Sequence, residues 1–386
     1  MTFPTNGYSA AHLVSLLREA RADLDAFAAC LPEQAWLGPR AATLNPPLWE
    51  YGHIVWFQER WCLRQQDDGS VSPPRLPNAD ALYDSSQVAH DTRWDLPLPG
   101  RDALADFSAG VLRDVADKLD AARPDDPVFY FAELSLYHER MHLEAWWMMA
   151  QCLGYRPPLL PPPASDLPLR SPRRDFAAGT VALGADDSRF RFDNEKRLHH
   201  ADLSPFAIDL HPVSQGAFLE FVEAGGYATP QHWSSEGRAW LAQSGAGHPV
   251  YWRQEVNAWQ VRRFDRWQQF APGEPMLHLN RFEAEAFAAW RGARLPSAAE
   301  WQRASRERDF NWGHGWEWCA EAFAPYPGFA PDPYRDYSSP WFHSHWELRG
   351  GSPVTHALLK RPGFRNFYLP ERRDAFTGLR LAWDNG

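Results

Sequence analysis

His138-Glu-Arg-Met-His-Leu-Glu144 is the stretch on which the reading of this chain turns. It lies inside residues 131–153, a run dense in good helix formers with no Gly or Pro before Gly154. Two histidines four apart on a helix stand one turn above each other on one face, so their imidazoles can converge on a single ion. Leu134, Ala145 and Met149 continue that stripe and turn the face inward, toward other helices. An inward pair of histidines wants a third ligand from elsewhere, and His53 is the candidate. It stands in a second helical stretch, Leu48 to about Arg64, with Trp49, Trp56, Phe57 and Trp61. Asn45-Pro-Pro47 opens that helix, with Asn45 as the expected cap and the prolines in the first turn.

The same letters spell His-Glu-x-x-His, the pattern in which two histidines hold zinc and Glu139 is the general base of a hydrolase. The chain has 15 histidines, so a chance pair at this spacing is the plain alternative to any metal. For His53 taken alone, the plain alternative is a packed or surface histidine.

The 386 residues exceed one ordinary core and imply two domains. Apolar content of 44% and charged content of 23% are those of a globular protein. A formal charge of −10, with no basic stripe, argues against nucleic acid or an anionic membrane as partner. Twenty Trp and 34 Pro point to rigid loops and aromatic-lined pockets. Cys30, Cys62, Cys152 and Cys319 form no CxxC pair, so neither a disulfide framework nor a cysteine zinc site is expected. The first residues show no signal-peptide pattern and no run is long enough to span a membrane, which makes the cytoplasm the expected location.

In chain order, Ser9 is placed to cap a helix to about Cys30, with Leu13, Leu16, Leu17, Leu24 and Phe27 on its apolar face. A third helix is expected over about 102–121. Residues 66–100 read as a long connection whose polar groups, Asp84, His90, Asp91 and Arg93, can reach over a site; a solvated loop is the plain alternative. With the His138 helix this makes a bundle of four helices and one long crossover, an architecture that places metal ligands on facing helices. Residues 156–175 are Pro-rich and end in basic residues, the composition of a semi-rigid linker. Beyond them regular stretches are short. Helices are expected over 211–224, 281–291 and, capped by Ser297, 297–307.

The second half carries an ordered series of motifs. Phe192-Asp-Asn-Glu195, Gly225-Gly-Tyr227 with Trp233-Ser-Ser-Glu-Gly237, and Pro249-Val-Tyr-Trp252 come first. Arg294-Leu-Pro-Ser-Ala-Ala-Glu-Trp301, Trp316-Glu-Trp318 and Tyr326-Pro-Gly-Phe329 follow, then Leu348-Arg-Gly-Gly-Ser352, Phe364-Arg-Asn366 and Phe376-Thr-Gly-Leu-Arg380. This series resembles the formylglycine-generating-enzyme-like domain, most closely as it occurs in the ergothioneine-type sulfoxide synthases, whose N-terminal half is a DinB-like four-helix bundle. The resemblance covers nearly the whole chain. It implies an α+β protein: a bundle over 1–155 carrying the metal ligands, the linker over 156–175, and a C-type-lectin-like domain of low regular structure over 176–386 completing the substrate site.

The resemblance also implies chemistry. His53, His138 and His142 match the positions that hold a non-haem Fe(II), which moves the His-Glu-x-x-His reading from hydrolase to oxygenase and makes Glu139 a supporting carboxylate. The family joins a thiol to the imidazole of hercynine, the trimethylated betaine of histidine, using O2. Asn366 and Phe367 would border the betaine, and a family tyrosine falls among Tyr326, Tyr334 and Tyr337. Three departures stand out. Met141 replaces a glutamine before the last histidine, Tyr368 replaces an aspartate, and Arg93 is followed by Trp94-Asp-Leu96 where a second arginine is expected. With Asp84 in Tyr83-Asp-Ser-Ser86, these look like the selenoneine synthase branch, which couples hercynine to a seleno-sugar. The alternative within the family is an ergothioneine synthase using γ-glutamylcysteine or cysteine. Outside it stand a zinc hydrolase and a non-catalytic carbohydrate-binding module. A formylglycine generator is disfavoured because no cysteine follows Leu348-Arg-Gly-Gly, and Cys319 reads as a small packed residue.

Overall fold

A computed structural model describes residues 7–66, 69–160, 166–186, 188–256 and 258–385. The chain divides into two compact units, Met1–Leu159 with Asp187–Phe190, and Leu160–Asp186 with Arg191–Gly386. Residues 161–165 of the Pro-rich stretch lie outside the described residues.

In the first unit the long helices are α1 (Ala10–Cys30), α2 (Pro47–Cys62), α4 (Arg101–Ala121) and α5 (Val128–Leu153), with a short α3 (Ala79–Tyr83) between α2 and α4. Ser9 caps α1 through its hydroxyl, which accepts the His12 N–H. Gly154, at φ +71°, ends α5 in the left-handed conformation that a residue without Cβ adopts freely. α1 and α2 each pack on both α4 and α5. The seam is filled by Leu17, Leu24 and Phe27 of α1, Ile54 and Phe57 of α2, Val111 and Val115 of α4, and Leu134 and Trp146 of α5. Each such side chain contributes about 1.5–3 kcal/mol by leaving water. Phe190, late in sequence, returns to this unit and lies 5.2 Å from Tyr130 and 5.0 Å from Tyr137, ring centre to ring centre.

Two expectations need correction here. Asn45 does not cap α2: the cap position is Pro46, and the Asn45 side chain accepts from Arg93 instead. Residues 66–100 are not one open connection. They contain α3, whose C-terminal carbonyls would be orphans at a helix end and are taken by α2: Trp49 Nε1 donates to Leu82 O and His53 Nδ1 to Tyr83 O, each at 2.7 Å.

The second unit is built from small sheets. β1 (Arg173–Phe176), β4 (Phe206–Asp209) and β12 (Ala382–Asp384) form one, with β4 central and both neighbours antiparallel. β2 (Gly179–Leu183) pairs with β3 (His199–Leu203). β5 (Trp252–Glu255), β6 (Ala258–Arg263) and β7 (Arg266–Gln269) make a meander. β8 (Gly315–Ala322), β9 (Trp346–Gly351), β10 (Asn366–Tyr368) and β11 (Thr377–Gly378) form the sheet ordered β10-β9-β8-β11. Among the described residues four α-helices accompany them: α6 (Gln215–Glu223), α7 (Ser235–Ser244), α8 (Arg281–Trp290) and α9 (Ala298–Ala304). Ser297 and Glu300 cap α9 reciprocally, the role read for Ser297 from sequence. The expected 211–224 helix begins later, at the Ser214 cap. At the centre, the buried Arg380 and Glu317 pair at 2.8 Å, and Trp301 Nε1 donates to the same carboxylate. The molecule is thus an α+β protein, a helical bundle followed by a sheet-rich second unit of short elements.

Candidate metal centre and its surroundings

α2 and α5 bring three imidazoles to one point. Nε2 of His53 and Nε2 of His142 each lie 3.2 Å from Nε2 of His138, and the three nitrogens fall within 4.8 Å of one another. The outer nitrogens say which tautomers are present. His53 Nδ1 faces the Tyr83 carbonyl at 2.7 Å, and His142 Nδ1 faces Glu50 Oε1 at 2.5 Å. Both partners only accept, so both Nδ1 atoms carry hydrogen and both Nε2 atoms present lone pairs to the centre. A hydrogen on His138 Nε2 can satisfy one neighbour at a time. A cation among the three nitrogens satisfies all of them, and the donor set fits such an ion.

Burial holds His53 and His138 well below the ordinary histidine value, so both are neutral, the form that binds metal. His53 is 2% exposed and His138 4%, whereas the His142 side chain is 20% exposed; the site opens on the His142 side. Each ring is clamped. His138 stacks on Phe57 at 3.7 Å and 6° between planes, and His53 stacks on Trp49 at 4.8 Å and 10°. Arg93 also lies against this indole, its Cζ 3.9 Å from the Trp49 ring centre, and donates to Asn45 Oδ1 at 2.6 Å.

Glu139, the would-be base of the zinc reading, points elsewhere. It is buried and receives Arg21 Nε at 2.8 Å and Nη2 at 3.0 Å, a fork-on-fork pair that ties α5 to α1. Met141 sits half-buried between the two histidines in sequence. Asp84 spends its carboxylate on its own turn, accepting from Ser86 N, Ser86 Oγ and Gln87 Nε2. Sequence reading missed Glu50, the Tyr83 carbonyl and the Phe57 face. Glu50 alone left a trace, an acid among Trp49, Tyr51, Ile54 and Val55, one turn before His53.

In the second unit the remaining candidates fall on and around β10. Phe367 pairs with Glu347 across β9 and stacks on Phe323 at 4.3 Å. Tyr337 stacks on Phe192 at 4.1 Å and meets the Phe367 ring at 6.2 Å, nearly edge-on; Tyr334 is 6.1 Å from Tyr337. Tyr326 is held separately, its hydroxyl accepting from Arg349 at 2.7 Å and its face covered by Arg365 at 3.8 Å; burial raises its pKa. Asn366 accepts from the next backbone N–H, and Tyr368 carries Arg372 over its ring at 4.7 Å. Cys319 is fully buried and burial pushes its thiol up, which suits packing and not nucleophilic chemistry.

Residues 16–145 match the DinB superfamily and residues 176–315 the sulfatase-modifying factor enzyme 1-like domain, so the two units define a bundle joined to a formylglycine-type domain. Over 405 residues the chain is 34% identical to a hercynine oxygenase of Mycolicibacterium smegmatis, covering 88% of this chain and 91% of that one. A hercynine oxygenase of Mycobacterium tuberculosis is 33% identical, over 88% of this chain and 91% of its own. The formylglycine-generating enzyme of Thermomonospora curvata is 32% identical but spans 57% of this chain. The chain belongs to the hercynine oxygenase family of ergothioneine-type sulfoxide synthases, and is an oxidoreductase.

Proposed function

We propose that this protein is an O2-dependent iron enzyme that joins the imidazole of hercynine to a selenium donor, a seleno-sugar. The observation that carries the iron reading is the convergence of three Nε2 atoms with both flanking Nδ1 hydrogens turned away. Fe(II) held by His53, His138 and His142 would supply one-electron chemistry and open positions for O2 and a soft chalcogen donor. The overall change balances: the imidazole C–H, the Se–H and O2 give a C–Se bond, a selenoxide oxygen and one water. What the chain's own groups do is bind and orient. A trimethylammonium cannot donate a hydrogen bond and is held by aromatic faces, and Phe367 with Tyr337 offers such faces.

The choice of donor rests on charge. A γ-glutamylcysteine donor carries carboxylates that need guanidinium partners. Arg93 is buried and committed to Asn45 and to the face of Trp49, and Tyr368 stands where the family has an acid. A less charged donor suits these substitutions. Glu139, locked by Arg21, argues against the zinc hydrolase, and the three inward imidazoles against a binding module without metal.

The test is anaerobic reconstitution with Fe(II), then hercynine and O2 with γ-glutamylcysteine and a 1-seleno-sugar in competition, products read by mass spectrometry. The hercynine–sugar selenoxide as the main product, or selenoneine once that selenoxide sheds its sugar and is reduced by added thiol, supports the proposal. Peptide sulfoxide instead would place the chain among the ergothioneine synthases, and no reaction from a zinc-loaded protein would revive the hydrolase.

A further inference from the structure

The three imidazoles have three different outer partners: a backbone carbonyl on His53, the phenyl face of Phe57 on His138, and the carboxylate of Glu50 on His142. We propose that Glu50 is a positioning residue of the metal centre, fixing His142 as the Nε2-ligating tautomer and making it a more electron-rich ligand than the carbonyl-backed His53. This rests on the reading of the three histidines as metal ligands.

A carboxylate that accepts the Nδ1 hydrogen draws it outward and makes the opposite nitrogen a stronger donor, more than a neutral carbonyl does. Glu50 is 2% exposed, and among the described residues His142 is the one basic side chain within ion-pair distance of it. A carboxylate so buried needs compensating positive charge close by. A divalent cation on the far side of the His142 ring supplies it. Placement adds a mechanical role. Glu50 lies one turn before His53 on α2, while His142 is on α5, so their 2.5 Å contact straps the two ligand-bearing helices together at the level of the ligands. The pocket is therefore shaped before metal arrives. Glu50 acts wholly through His142 and is not a catalytic residue.

The experiment uses the full chain with Co(II) as probe, whose visible bands report the ligand field, and repeats the titration anaerobically with Fe(II). Glu50→Gln keeps an acceptor without charge, and Glu50→Ala removes both. The expected result is Co(II) binding weakened about 10-fold in Glu50→Gln and about 100-fold in Glu50→Ala, with the bands shifted in both. The metal-free Glu50→Gln protein keeps its helix content, and Glu50→Asp recovers part of the affinity. Affinities within threefold of wild type and unmoved bands would overturn the role. Lower thermal stability with unmoved bands would overturn it equally, as the mark of a merely structural acid. Should Glu50→Ala not fold, Glu50→Gln decides alone. A wild-type chain that takes up neither ion fails the metal reading itself, before any variant is made, and carries this proposal down with it.

Discussion

Glu139 separates two chemistries that share one sequence signature. Replacing it by Gln leaves Arg21 buried with its main counter-charge gone, a loss of about 3–5 kcal/mol for a buried pair broken on one side. Urea unfolding should show that loss, while metal content per chain is unchanged because no ligand is touched. A stable Glu139→Gln protein that loses a hydrolytic activity would return Glu139 to the role of base. At this scale the sequence was legible where a helix makes neighbours of residues four apart, as with His138 and His142. It was illegible where the partner comes from another element. Nothing local says that Glu50 meets His142, or that Arg93 turns onto Trp49 and not toward a ligand; both depend on how α2 lies against its neighbours.

Among the elements, α3 has the largest effect for its size. Only five residues long, it leaves too little periodicity to be seen in sequence, yet it docks along one stripe of α2 through Trp49, His53 and Trp56, the last donating to Asp80 at 2.7 Å. Gly52 makes the docking possible. A Cβ there would lie 2.4 Å from the Tyr83 ring, closer than atoms approach. Gly52→Ala must therefore push α3 outward, and the Tyr83 carbonyl with it. The expected outcome is a stability loss of about 1–3 kcal/mol from overpacking, accompanied by weaker Fe(II) retention on dialysis. Retention equal to wild type would mean that the carbonyl does not matter to His53. The helix starts capped by Ser9 and Ser297 were the readable ones, while the start at the Ser214 cap was placed three residues early. α7 was missed despite its Ser234 cap, because its face is mostly exposed and carries little apolar pattern.

For the whole molecule, the second unit resisted reading because its strands are short and pair across long separations. Its stability should also depend on pH in an unusual direction. Burial pushes the Asp209 carboxyl up to about 7, with Arg380, Arg173 and Arg291 pulling the other way. In the unfolded chain this group titrates near 3.8. Below that pH both states hold the proton and burial costs nothing. Between there and about 7 the unfolded chain ionises first, so stability falls as pH rises and levels off above the folded value. Asp209→Asn should flatten this part of the profile in thermal melts from pH 4 to 8; an identical slope in the variant would assign the effect elsewhere. Burial raises Glu321 to about 7 and Asp193 to about 6, so both add to the same trend.

The strand at Ala382–Asp384 lies beside β4, and Arg380 donates to the Asp209 carbonyl across 171 residues of chain. During synthesis at about 5–20 residues per second, β4 waits roughly ten to thirty seconds for these partners. The bundle waits less long, Arg21 on α1 and Glu139 on α5 being 118 residues apart. For that interval Phe176, Phe206 and Ile208 have no β12 to pack against. A nascent chain with its sheet half-assembled is a natural client for a holding chaperone, and a stop codon before Arg380 would leave it one permanently.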